Sequence, residues 1–395
     1  MSMEEQDELV EFDKKPVGNV EEEEEVSKEV VKTPFSPNDF ELQPMTMNMG
    51  DLIDMIKEKW IVFETDYQRT QNLWTPVQQC RLIESILLGL RLPAFYFEEV
   101  SKHKWNIIDG LQRCCAIRNF CVKESMVLND LEFLGAEFEN KHFSEFEYAT
   151  RRDIRMQPIT VNLLKSGMPD MVKYILFKRL NTGGISLTSQ EIRNAVYSGP
   201  VIKTIQEMAN SEPFQKATDW KIETKRKTDM DFVSRFVAFY VQRWEDYEPS
   251  LERFINESME TMRKQWTEAD RDEMAARFKD SMNLSYDLFG NRAFRRQRSW
   301  DERRTPLNKA YFEVISVLLA KLDLNEQQAL KNNKDLLVEN MCCAMRDSPT
   351  YRNAHSGGTG DKNAVRTRFS WMKQIIASTL NNKKIHINDN KIVTD

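Results

Sequence analysis

No stretch of this sequence is apolar for long enough to cross a bilayer. The longest apolar runs, such as Val314 to Ala320, fall well short of the roughly 20 residues that a membrane-spanning helix needs, so no membrane partner is expected. The N-terminus, MSMEEQDELVEF, lacks the basic flank and apolar core of a secretory signal, and a cytoplasmic location is the expectation. Cysteine is scarce: Cys80, Cys114, Cys115, Cys121, Cys342 and Cys343 form no CxxC pair, which argues against a zinc site of ordinary spacing and for reduced, structural thiols. Histidine is scarcer. His103, His142, His355 and His386 stand apart in the sequence, leaving no histidine-centred nuclease motif, and Asp219 with Glu223 and Lys225 matches an Asp…Glu-x-Lys pattern only at chance level.

What is there suffices for a globular protein: 395 residues, 41% hydrophobic and 30% charged, enough for one large domain or two ordinary ones. The net charge of -6 is uneven, because residues 1–33 hold twelve Asp or Glu against four Lys. The rest of the chain is therefore close to neutral, about +2, and does not announce a nucleic-acid binder by charge alone. A segment so acidic, with the run Glu21 to Glu25, buries too little surface to offset ordering entropy. Residues 1–40 are expected to be a disordered tail, either a solvating extension or a mimic of nucleic-acid charge over a basic groove.

Periodicity places the first folded element at Met49 to Lys57, followed by a short strand at Lys59 to Phe63 and the polar loop TDYQRTQNLW. Thr75 and Gln78 form a capping box, Pro76 sits at the first helical position, and Leu82, Ile83, Ile86, Leu87 and Leu90 make an apolar stripe. Ala94 to Phe97 and Trp105 to Ile108 read as a hairpin, and a helix follows near Gln112. Beyond residue 165 the signals are helical almost throughout, and no solenoid period is present. The expected domains are 41–200, mixed α/β, and 201–380, helical, with a flexible tail at 381–395.

The most informative segment is IIDGLQRCCA, residues 107–116, where a buried strand ends in Asp-Gly and opens a helix. Gly110 allows close backbone approach, and Arg113 can bind an oxyanion through two nitrogens. Such turns are common, and a first-turn arginine is usually exposed, so Arg113 is expected to matter to a ligand and little to folding. Three ordered stretches sharpen the reading: YQRTQNLWTPVQQCRLIESILLGLRLPAFYF (67–97), IIDGLQR (107–113) and LFKRLNTGGISLTSQEIRNAVY (176–197), with weaker similarity at FVSRFVAFY (232–240) and PLNKAYFE (306–313).

Together these segments resemble the GmrSD restriction endonuclease N-terminal family, whose core is similar to the ParB and sulfiredoxin fold. The resemblance implies an α+β protein: a small ParB/sulfiredoxin-like mixed α/β domain followed by a mainly helical C-terminal domain. It also implies a nucleoside triphosphate with Mg2+ as cofactor, hydrolysis being the first reading and a nucleotide-gated binding module the second, in defence against phage DNA. Asp109 would hold the metal ion or a ribose hydroxyl, and Gln112 a phosphate or attacking water; these two are the catalytic candidates. Gly110 and Arg113 would meet the phosphates, joined by Gln68 and Arg69 of the first stretch and by Arg179 and Asn181 of the third. The family's usual motif has glutamine where this chain has Leu111. Gln68 and Arg69 equally suit a loop-ordering role, Asn181 a helix end, and Thr188 with Glu191 a second capping box.

The run NRAFRRQRSWDERR contributes Arg295, Arg296 and Arg298 as candidates for nucleic-acid phosphates, against a solvated loop as the alternative. SGGTGDK, residues 356–362, lacks the Gly-Lys-Ser/Thr order of a phosphate loop and reads as a loop capping the last helix. DNA is thus a candidate partner, and with no nuclease motif in the chain, a separate nuclease subunit is another.

Overall fold

The computed structural model describes residues 19–21, 42–63, 74–165, 167–180, 187–197, 199–224 and 226–394. The protein is mixed α+β, 59% helical, with a small five-stranded sheet near the N-terminus and a mainly helical C-terminal region. Two compact units are present, residues 32–198 and residues 199–395 together with Met1–Val31.

In the first unit the chain runs β1 (Leu42–Asn48), α1 (Met49–Lys57), β2 (Ile61–Val62), α2 (Pro76–Leu87), β3 (Phe95–Ser101), β4 (Lys104–Asp109) and α3 (Leu111–Ile117). Then come α4 (Tyr148–Met156), β5 (Pro158–Leu164), α5 (Asp170–Leu180) and α6 (Ser189–Val196). The strand order is β1-β5-β3-β4-β2. β1 is antiparallel to β5, β5 parallel to β3, β3 antiparallel to β4, and β4 parallel to β2. One face of the sheet is apolar: Phe95 and Phe97 of β3 lie level with Val161 and Leu163 of β5, and all four pack in one core with Leu52, Ile83 and Ala116 of the helices. The side-chain period of two then turns Tyr96, Glu98 and Asn162 to the opposite face.

The hairpin and the capping box at Thr75 match the sequence reading, with Thr75 Oγ1 accepting the Gln78 N–H at 3.3 Å and Gln78 Oε1 accepting the Thr75 N–H at 2.9 Å. β1 and β5 are additions to it. The connection from Val127 to Leu134 is anchored by Glu84, whose buried carboxylate accepts the N–H groups of Phe133, Leu134 and Glu132 at 2.7, 3.0 and 3.1 Å.

The second unit is built from α7 (Pro200–Ala209), α8 (Glu212–Ala217), α9 (Thr228–Val241), α10 (Leu251–Gln265), α11 (Glu268–Phe289) and α12 (Lys309–Ala320). α13 (Leu324–Asn332), α14 (Lys334–Asp347), α15 (Pro349–Asn353) and α16 (Lys362–Leu380) complete its helices. α9 and α11 both pack on α12, which is buried along its whole length. Glu313 at its centre pairs with Arg368 of α16, both fully buried, and lies 3.4 Å from Arg235 of α9. The expected flexible tail at 381–395 is instead an ordered hairpin, β6 (Ile385–Asn388) and β7 (Lys391–Thr394). Its turn residues Asp389 and Asn390 take φ of 48° and 55°, the left-handed pair that a two-residue hairpin turn requires. The expected tail at 1–40 lies outside the described residues except for Asn19–Glu21.

Candidate functional site

β4 delivers Asp109 to the sheet edge of a tight strand-to-helix turn. Gly110 follows with φ 100°, and α3 begins at once, its Cys114 N–H returning to Gly110 O at 2.8 Å. A side chain at position 110 would place a Cβ 2.7 Å from Phe95 Cδ1 and 3.2 Å from Arg113 Nη2. Glycine is therefore required here by the packing of β3 under the turn, before any ligand is considered.

Arg113 departs from the sequence expectation of an exposed first-turn residue: it is buried. Its guanidinium lies 4.4 Å from the centre of the Phe95 ring and donates to Pro93 O, to Ala94 O at 3.2 Å and to Asp109 Oδ2 at 2.9 Å. The expectation that it contributes little to folding is overturned, because three acceptors of the β3 approach and the turn depend on it. It acts as a clamp that fixes the Asp109 carboxylate, whose side chain remains 38% exposed.

Gln112 is half-buried and its Oε1 accepts the Trp74 backbone N–H at 3.3 Å. Trp74 in turn packs on the core and its carbonyl accepts Gln79 Nε2 at 3.3 Å, so the indole is a packing residue. Gln112 thereby ties the Asp-Gly turn to the start of α2, where the YQR loop ends. Gln68 and Arg69 of that loop, and Asn181, lie outside the described residues. Arg179 is exposed in the last turn of α5, a helix that packs beside β4 and on α6.

The structure adds polar residues that the sequence reading assigned only to capping or did not single out. Lys173 of α5 pairs with Glu98 of β3 and lies 3.5 Å from the Asp170 carboxylate. In α6 the capping box of Thr188 and Glu191 is present, but Gln190, Arg193 and Asn194 are also buried. Arg193 donates to Gln190 Oε1 at 3.1 Å, and Gln190 donates to Asn194 Oδ1 at 2.9 Å. In QEIRNAV the polar residues share one side of a short amphipathic helix, the pattern of a solvated face, so nothing in the sequence signals their burial.

The thiols behave as structural groups. Cys114 is fully buried, and burial pushes its pKa far up; burial also raises Cys121, to about 12. Among the described residues no group of three or more His, Cys, Asp or Glu is placed to hold a metal ion.

In the arginine run, Arg295 is buried and spends its guanidinium on Asn291 O and Thr305 O. Arg296 pairs with Glu21 at 2.9 Å. Arg298 is half-buried, and its backbone N–H donates to Glu302 Oε2 at 3.3 Å.

Residues 49–198 match the family GmrSD restriction endonuclease, N-terminal domain, so this segment is similar to that domain. The weaker resemblances at 232–240 and 306–313 fall outside it. Neither the curated proteins nor the solved structures contain a match to the chain.

Proposed function

Proceeding from the match of residues 49–198 to the GmrSD restriction endonuclease N-terminal family, we propose that this protein binds a nucleoside triphosphate at the β4–α3 turn and uses it in a restriction-like defence role. The observation that carries the reading is the Asp109 carboxylate, over a third exposed, held 2.9 Å from a buried arginine within the DGLQR turn. Arg113 orients Asp109 through Oδ2 and leaves Oδ1 for a ribose hydroxyl or a nucleotide-borne cation. Magnesium commonly needs only one or two protein carboxylates when phosphates complete its shell, so Asp109 suits Mg2+ carried in with a nucleotide; it does not suit an ion held by protein alone. Arg179, exposed at the end of α5, supplies positive charge for the phosphates, with Gln68, Arg69 and Asn181 as further contacts.

One observation favours binding without hydrolysis. Gln112 Oε1 is engaged by the Trp74 backbone N–H, which draws it away from orienting an attacking water, and the Arg113 guanidinium on Asp109 Oδ2 makes that carboxylate a weak general base. On that reading the domain is a nucleotide-gated module, and cutting of DNA falls to a partner nuclease.

Calorimetric titration of the full chain with each of the common nucleoside triphosphates plus Mg2+, followed by a phosphate-release assay, tests both. Binding should raise the unfolding temperature, since ligand at about 100 times Kd stabilises by roughly 2.7 kcal/mol. Asp109→Asn should weaken binding while the fold is kept. Absence of heat with every triphosphate rejects the proposal; binding without phosphate release selects the gated module.

A further inference from the structure

Asn19–Glu21 dock on the second unit as a short strand. The Glu21 N–H donates to Leu307 O at 2.8 Å, and the Leu307 N–H donates to Asn19 O at 3.0 Å. Val20 thus pairs in parallel with Leu307, which on its other side pairs antiparallel with Arg295. This register brings the Glu21 carboxylate to a set of donors. Arg296 Nε reaches Oε1 at 3.2 Å and Arg296 Nη2 reaches Oε2 at 2.9 Å, while Asn308 Nδ2 donates to Oε2 at 2.6 Å.

The seat is rigid. Asn308 is buried; its Nδ2 also donates to His355 O at 2.9 Å, and its Oδ1 accepts the Tyr311 N–H at 2.7 Å at the start of α12. His355 lies fully buried beside Tyr311 and Tyr351, and neither ring nitrogen has a hydrogen-bond partner. Burial, with Arg368 and Arg296 nearby, holds its pKa well below the usual range, so it adds no charge to compete for the anion. A guanidinium fork and an amide donor aimed at the two oxygens of one carboxylate will also take two oxygens of a phosphodiester.

We propose that Arg296 and Asn308 form a phosphate seat for a nucleic-acid strand, and that Glu21 occupies it in cis, so that the strand binds only by displacing the N-terminal segment. The surroundings favour a strand over a small anion. Arg303 and Arg304 of the same loop are exposed, and Arg304 is tied at 3.1 Å to Asp219. The next residue, Trp220, is 65% exposed and takes φ 54°, a left-handed conformation that costs a bulky side chain energy. An exposed indole that follows in sequence the aspartate tied to Arg304 offers a face on which an unpaired base can stack. The inference is independent of nucleotide binding in the first unit.

The test is fluorescence anisotropy of the full chain with a labelled single-stranded DNA of about 20 nucleotides, long enough for a site of roughly 4–16. Glu21→Gln should tighten binding about tenfold, the scale of one charge-assisted contact no longer needing displacement. Glu21→Gln with Arg296→Lys keeps the net charge of the single variant but removes the fork, and should lose that gain. Trp220→Ala in the Glu21→Gln background should weaken single-stranded binding several-fold and duplex binding little. Circular dichroism of each variant confirms the helical content. Equal affinity of Glu21→Gln and the parent chain overturns the proposal, as does a gain that survives Arg296→Lys.

Discussion

Glu84 and Phe133, 49 residues apart, are joined by a 2.7 Å hydrogen bond from the Phe133 backbone N–H to the Glu84 carboxylate. With the N–H groups of Glu132 and Leu134 and the guanidinium of Arg81 at 3.2 Å, the carboxylate stands in for secondary structure that this connection lacks. Burial works to raise the Glu84 pKa, but the backbone donors and Arg81 outweigh it and hold the group at about 2.

The folded value lies below the ordinary 4.5, so the stabilisation is fully present above about pH 4.5 and is lost as pH falls toward 2. The difference corresponds to about 3 kcal/mol. Urea unfolding of the parent and of Glu84→Gln should therefore differ most at neutral pH and converge near pH 2. A constant difference across that range would remove the ionised carboxylate as the cause.

At the turn below the candidate site, Gly110→Ala should destabilise by roughly 2–4 kcal/mol, from left-handed strain and from overlap with the immobile Phe95 ring. The loss should be visible as a lower unfolding temperature without nucleotide. A variant as stable as the parent would show that β3 can retreat from the turn, and that glycine is there for a ligand alone.

Local grammar was legible in the sequence where one element carries its own signal. Thr75 with Gln78, the runs at Phe95 and Trp105, and the glycine after Asp109 are cases where residues a few positions apart determine the structure. β1 was not legible, because its residues are mostly exposed and include Pro44, leaving no apolar alternation to read. β5 does alternate at Ile159, Val161 and Leu163, yet its proline start and double leucine end also suit a helix boundary. The role of Arg113 could not be read locally at all: it depends on the carbonyls of Pro93 and Ala94, about one β-hairpin earlier in the chain. Glu21 on Arg296 is a still longer connection, and the acidic composition around it argued for disorder.

In the second unit, Glu313 is fully buried between Arg368 and Arg235, and Arg368 also donates to Thr359 O at 2.7 Å. Glu313→Ala leaves the buried Arg368 guanidinium without its carboxylate, while Arg235 keeps Asp231 at 3.7 Å, and should cost about 3–5 kcal/mol. Glu313→Ala with Arg368→Met should recover part of that loss, because the uncompensated charge is removed with its partner. Thermal unfolding of the two variants checks this; a double variant no more stable than Glu313→Ala would mean that the pair is held by shape and not by charge.

Arg113 offers the clearest separation of structure from ligand. Arg113→Ala strips donors from Pro93 O, Ala94 O and Asp109 at once and should destabilise the first unit by about 2–4 kcal/mol, or several degrees in unfolding temperature for a unit of this size. Arg113→Lys keeps the charge beside Asp109 but cannot serve three acceptors in a fork, so it should fall between Ala and the parent in stability. If Arg113 positions Asp109, the lysine variant should bind nucleoside triphosphate more weakly than the parent even at temperatures where both are fully folded. Asp109→Asn should then lose affinity with a smaller loss of stability, since an amide oxygen still accepts from Arg113. Arg113→Ala unfolding at the parent temperature would reject the clamp, and Arg113→Lys binding nucleotide as tightly as the parent would reject its role in positioning Asp109.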